Sequence, residues 1–207
     1  DFRRRDMAGG GQGAPFAPAF HHSLVPSTVT TAAFLNLGGI ANITLIHNDN
    51  IICGFDTGPA NCLMDAWTQR HKGQRYDNNG DWAKSGAVDQ KLLERLSQFA
   101  YFSQTPPKST GREQFTLAWL ECFLPPRSVD PADVQATLLA LSSNTIVNEI
   151  VKLSPIPQVI YYCGGGTKNS ALIDDIKRQL KIAKLGQIKV SDTKVLGIHP
   201  DWIEATA

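Results

Sequence analysis

Three strand-like runs crowd into residues 32–55 with very short gaps between them. Ala33-Phe34-Leu35-Asn36-Leu37 is the first, Ala41-Asn42-Ile43-Thr44-Leu45-Ile46 the second and Ile51-Ile52-Cys53-Gly54-Phe55 the third. Gly38-Gly39 separates the first pair, and His47-Asn48-Asp49-Asn50 the second. A parallel pair needs a crossover of a dozen or more residues, so connections this short allow only an antiparallel meander with tight turns.

Helical signals follow the meander. Residues 59–72 begin at Pro59, suited to a first helical turn, and end at Lys72-Gly73, a C-cap pattern. Residues 88–99 repeat Val88, Leu92, Leu93 and Leu96 at helical spacing. Thr110-Gly111-Arg112-Glu113 fits a capping box and predicts a helix through Cys122. Asp130-Pro131 opens another to about Leu153, with Val134, Leu138, Leu141, Thr145 and Ile146 inward.

The last third alternates. Gln158 to Cys163 is an apolar strand, Gly164-Gly165-Gly166 turns it, and Ser170 to Leu180 reads as a helix. Lys189-Val190 suggests a strand, and Pro200 opens a last helix. The class is α/β, with a mixed sheet flanked by helices. Residues 28–195 contain no linker and read as one domain. The Gly-, Ala- and Pro-rich stretch 7–26 reads as loop.

Composition removes several classes. Lys plus Arg is 20 and Asp plus Glu is 19, a net charge of +1, which argues against a dominant nucleic-acid surface. No apolar run approaches a membrane span. The four cysteines (Cys53, Cys62, Cys122 and Cys163) form no Cys-x-x-Cys pair, and a chain this long needs no staples, so they read as reduced thiols. The histidines show no metal-ligand spacing, and no metal site from protein side chains is expected.

Three motifs carry chemistry. Gly38-Gly39 is either a hairpin turn needing positive φ or a turn whose bare N–H groups face a phosphate. Gly164-Gly165-Gly166, at the carboxyl end of a strand, fits a ligand passing close to the backbone, or tight strand–helix packing. It is neither a Walker A loop nor a Rossmann fingerprint. Asp56 stands at a strand end before a helix, as a cap or as a general base. Asp65 reads as a solvated or capping-related charge. The Arg3-Arg4-Arg5 run and Lys108 to Glu113 are solvated charge or anion sites.

These residues resemble a known family. Asp1-Phe2-Arg3-Arg4-Arg5-Asp6, Gly10 to Pro15, Asn36 to Asn42, Gly54 to Pro59, Lys108 to Glu113, Asp133 to Leu138 and Cys163 to Gly166 are together similar to anhydro-N-acetylmuramic acid kinase, in order and end to end. The resemblance implies the actin/Hsp70/sugar-kinase fold, with two RNase H-like domains and a cleft between them. It implies a cytoplasmic bacterial enzyme of peptidoglycan recycling. Such an enzyme uses ATP and Mg²⁺ to open 1,6-anhydro-N-acetylmuramic acid and phosphorylate O6, giving N-acetylmuramic acid 6-phosphate.

By the same resemblance Asp56 is the catalytic base, and Arg5 and Glu204 contact the sugar. Gly38 and Gly39 lie at a phosphate hairpin, and Gly164, Gly165 and Gly166 at the adenosine. The partners implied are the amino sugar and ATP, with no nucleic acid and no membrane. The family's opening Gly-Thr-Ser-x-Asp-Gly phosphate hairpin has no match here. The chain therefore resembles the second kinase domain at 28–195, with an interdomain and substrate-cleft segment at 1–27 and a return toward the first domain at 196–207. The alternative is a truncated, catalytically silent fragment. Phe2, Phe16 and Trp202 would face the other domain, so the isolated chain is expected to self-associate, for instance as a homodimer.

Overall fold

The computed structural model describes residues 17–126 and 129–200. Five strands form one sheet: β1 (Thr31–Leu37), β2 (Ile40–His47), β3 (Asn50–Pro59), β4 (Val159–Cys163) and β5 (Lys189–Asp192). Their order is β3-β2-β1-β4-β5. The first three pair antiparallel, as the short connections require, and β4 and β5 add on parallel to β1. The β2–β3 turn holds Asn48 and Asp49 at φ 48° and 59°, positions that Asn and Asp tolerate and that match the strand twist.

Helices α1 (Ala17–Leu24), α2 (Cys62–Lys72), α3 (Asp81–Ser85), α4 (Gln90–Ser97), α5 (Leu117–Glu121), α6 (Pro131–Lys152) and α7 (Ser170–Ile182) complete the described elements, with four short 3₁₀ turns. α6 is the centre of the helical layer. Asp130 caps it by accepting from the Ala132 N–H, and Pro131 opens it where its missing N–H costs nothing. Trp67 of α2 donates its indole N–H to the Pro131 carbonyl at 2.8 Å, which ties the two helices at that end. Leu35, Leu37, Ile43 and Leu45 face this layer, with Leu138, Leu141, Ile146 and Ile150 of α6. Alternate residues Ala32, Phe34, Ile46, Val159 and Tyr161 fill a smaller core on the opposite face, against Leu24, Val25 and Val29. Both faces of the sheet are thus covered, which suits an α/β layer.

Four local expectations are corrected. Pro59 does not open a helix. β3 runs on to Pro59, paired with Ile40, because continued pairing with β2 outweighs the local signal. The capping box at Thr110 does not form, because the Thr110 N–H is donated to Asp56 and its hydroxyl to Gln114. The helix starts instead at Thr116, whose hydroxyl accepts from the Trp119 N–H. Val88 lies outside the 88–99 helix, which Asp89 caps, so α4 begins at Gln90. Within the 7–26 stretch, residues 17–24 are helical rather than loop, and the end of α1 packs on the second face of the sheet. The Pro200 helix, Phe2, Phe16 and Trp202 lie outside the described residues.

Candidate active site

Asp56 sits inside β3, not between a strand and a helix. The register shifts beside it: Asn42 pairs with Asp56, while Ala41 pairs with Gly58, leaving Thr57 as the extra residue of a bulge. Bulges re-aim side chains. Gly58, at φ 145°, has backbone that L side chains rarely adopt, and a Cβ there would meet Phe102 at 2.8 Å.

The Asp56 carboxylate is held from three directions. Asn42 donates to Oδ1 at 3.0 Å, and the Ser109 hydroxyl and Thr110 N–H donate to Oδ2 at 3.1 and 2.9 Å. Its backbone is held too, with Asp56 N–H donating to the Lys108 carbonyl and the Tyr101 hydroxyl donating to the Asp56 carbonyl. A carboxylate offers about four acceptor positions, so three are used and one remains for a water or hydroxyl proton. The group is half-buried and fixed in orientation, as a base requires.

Sequence reasoning did not find the brace behind this clamp. Lys108 is a buried cation: its side chain is 1% exposed, and it meets Glu149, 3% exposed, at 3.1 Å. Its Nζ also lies 5.1 Å from the centre of the Tyr101 ring. Lys152 reaches Glu149 from the surface at 2.8 Å. The segment 108–110 is therefore anchored by a desolvated ion pair, not left as solvated charge. Glu149 lies four positions beyond Thr145, among the inward positions of α6, and a carboxylate at that spacing was the available signal.

The two glycine motifs come together. Gly38, Gly39, Gly164 and Gly165 line one cavity of about 890 Å³, with Arg112, Asp65, Lys168 and Tyr76. Neither Gly38 nor Gly39 has a positive φ, so the turn reading fails on that point. Their carbonyls are tied to the start of α2: Ala60 and Cys62 N–H donate to Gly39, and Asn61 N–H to Gly38. In planar trans peptides this turns the N–H groups of Gly39 and Ile40 the opposite way.

The second loop divides its labour. Gly164 has φ 84° and ψ 175°, a region open essentially only to glycine. Gly166 is a packing residue, since a Cβ there would meet Asn61 and Leu37 at 2.6 and 2.7 Å. Gly165 has open space around it and lines the cavity, whereas Gly166 does not. The tight-packing reading thus holds for Gly166, while Gly165 is left open to the cavity.

Asp56 does not line the cavity. It is joined to it by a row of paired residues across the sheet, Asp56–Asn42–Asn36–Cys163, which ends next to Gly164. Asp65 corrects an expectation: it is half-buried in the cavity wall, and desolvation raises its carboxyl to about 6, with Arg112 opposing the rise. Burial likewise pushes the Cys62 thiol up to about 11, which keeps it protonated. Arg5 and Glu204 lie outside the described residues. Among the described residues no cluster of three or more His, Cys, Asp or Glu side chains is gathered, and no helix is long and apolar enough to cross a membrane.

A family profile described as anhydro-N-acetylmuramic acid kinase matches residues 1–207. The chain belongs to that family. Relatives of that name from Paraburkholderia xenovorans and Acinetobacter baylyi are 44% and 46% identical to it, each over the whole chain. The chain spans 55% and 57% of their lengths, about half of each. Among solved structures, an activator of 2-hydroxyisocaproyl-CoA dehydratase from Clostridium difficile with bound ADPNP superposes at a TM-score of 0.52, with 12% identity. That match covers 91% of this chain and 61% of the other, and it is a likeness of fold. A mixed five-stranded sheet with an apolar core on each face is the α/β class expected from the sequence.

Proposed function

We propose that the protein carrying this chain is an ATP-dependent kinase acting on 1,6-anhydro-N-acetylmuramic acid. Water attacks C1 and gives its proton to Asp56. The C1–O6 bond breaks, and O6 takes the γ-phosphoryl group, releasing ADP and N-acetylmuramic acid 6-phosphate. The observation that carries this reading is the clamp on Asp56, in a chain of this family. Three donors fix the carboxylate and one acceptor position remains for water, so the group can orient water and take a proton without reorganising.

Gly38, Gly39, Gly164 and Gly165 form the wall for ATP, with Gly166 supporting the loop behind it. A cavity of about 890 Å³ with bare backbone on two sides fits a nucleotide. Mg²⁺ would enter with the ATP phosphates, since it is commonly held by one or two carboxylates plus substrate phosphates. Arg5 and Glu204 are proposed for the sugar. Residues 28–195 serve as the second kinase domain, 1–27 as the cleft segment and 196–207 as the return toward the first domain.

The test is ADP release in a coupled assay with 1,6-anhydro-N-acetylmuramic acid, ATP and Mg²⁺. It compares this chain with a protein that also carries the residues found in its relatives. Turnover in the longer protein alone supports the reading. Turnover in neither overturns it, and turnover in the 207-residue chain alone overturns the two-domain account of the ATP site.

A further inference from the structure

The segment 108–115 touches both halves of the site. Its first part, Ser109 and Thr110, holds Asp56. Two residues later Arg112 lines the glycine cavity. Lys108 anchors one end through Glu149, and buried Phe115 anchors the other by stacking on Phe102 at 5.8 Å.

The guanidinium of Arg112 lies against the Gly38–Gly39 hairpin. A Cβ on Gly39 would stand 2.4 Å from Arg112 Nε and 2.9 Å from Cζ. Gly39 is therefore a close-approach glycine: its missing side chain is what admits the guanidinium. No ion pair within 4 Å among the described residues uses Arg112, although its charge acts at longer range on Asp65 and Cys62. It is thus a cation in a cavity wall, beside backbone whose carbonyls are taken up by N–H groups at the start of α2.

We propose that Arg112 binds the phosphate chain of the nucleotide, with Gly39 making room for its planar fork. This rests on the reading of the cavity as a nucleotide site. A guanidinium presents parallel N–H groups that match phosphate oxygens in pairs, which an ammonium cannot do. Lys168, beside the Gly164–Gly166 loop, is a second cation in the lining of the same cavity. The anions of the wall do not fill this role. Asp77 is committed to the Trp82 and Ala83 N–H groups at 2.9 Å, and Asp65 is the half-buried carboxylate that Arg112 partly offsets.

The experiment is equilibrium binding of ATP, ADP and adenosine to the protein carrying this chain, for wild type, R112Q and R112K. R112Q is expected to weaken ATP and ADP by about tenfold or more, leaving adenosine within about twofold, the size of one lost charged hydrogen-bonding group. R112K is expected to fall between, because it keeps the charge and loses the fork. Equal losses for adenosine and ATP, or no loss for any of the three, overturn the assignment and make Arg112 a packing residue. Should R112Q unfold in a parallel thermal melt, R112K alone decides by the same comparison of ATP with adenosine. Wild type that binds none of the three overturns the nucleotide reading itself.

Discussion

The two ends of the site are built on opposite principles. Around Asp56 the fold supplies polar side chains and backbone donors until the carboxylate has a single orientation. Around the cavity it removes side chains, and glycines bring bare backbone to the wall. A base must be held still while a proton moves, so it needs partners. A phosphate chain must come close to many N–H groups at once, so it needs their neighbours to be small. The clamp is the costly half. It rests on the desolvated Lys108–Glu149 pair, whereas the cavity rests on backbone geometry.

Replacing the base gives the largest effect. Asp56→Asn keeps the size of the side chain and removes its basicity. Turnover of the anhydro sugar is expected to fall by about 10²- to 10⁴-fold, with sugar affinity little changed. Steady-state kcat beside direct sugar binding measures both, and near-wild-type kcat would remove Asp56 from the mechanism.

Breaking the brace comes next. Lys108→Met leaves Glu149 buried with only its surface partner Lys152. Unpairing a buried ion costs about 3–5 kcal/mol, and the remaining Lys152 contact places this variant toward the lower figure. Urea unfolding of Lys108→Met, Glu149→Leu and the double variant measures it. The double variant is expected to recover much of the loss, because it leaves no orphaned charge.

A glycine pair sharpens the account of the cavity. Gly164→Ala forces an L residue into a glycine-only conformation and presses on Asn36 Oδ1, 2.3 Å from the new Cβ, at a cost of about 1–3 kcal/mol. Gly165→Ala meets nothing within 4 Å and is expected to change stability by less than about 0.5 kcal/mol. Equal destabilisation by the two would contradict the division of labour within the loop.

The remaining effect is electrostatic. Burial raises Asp65 from 3.8 to about 6, so the folded protein holds that proton more tightly than the unfolded chain. Stability from this group therefore falls as pH rises from about 4 to about 6. His21 works in the other direction. Its burial lowers it from 6.5 to about 4, so its contribution is lost as pH falls through the same window. Melting temperatures of wild type and Asp65→Asn across pH 4 to 7 isolate the Asp65 part. The Asn variant is expected to gain relative to wild type toward pH 6, and parallel curves would place Asp65 in solvent.

Much of this was written locally. The meander followed from two short connections, which no crossover could span. α6 followed from Asp130-Pro131 and a long apolar period, and α7 from the spacing after the glycines. Asp56 and both glycine loops could be singled out because glycine and aspartate are poor strand residues and stand out beside apolar runs.

Other features depended on residues far apart in the chain. β3 outran its local signal because β2 offered it partners as far as Pro59. The Thr110 capping box failed because Asp56, 54 positions away, claimed the N–H that the box would have used. The Lys108–Glu149 pair spans 41 positions and was invisible as a pair until the fold brought α6 to the segment 108–115. Gly39 meets Arg112 only when the segment 108–115 reaches the hairpin. Periodicity, breakers and caps act between neighbours, so the sequence alone determined most of the elements and flagged the unusual residues. Hydrogen-bond partners, buried charges and close approaches act between distant segments, so only the tertiary structure decided which of those residues hold Asp56 and which line the cavity.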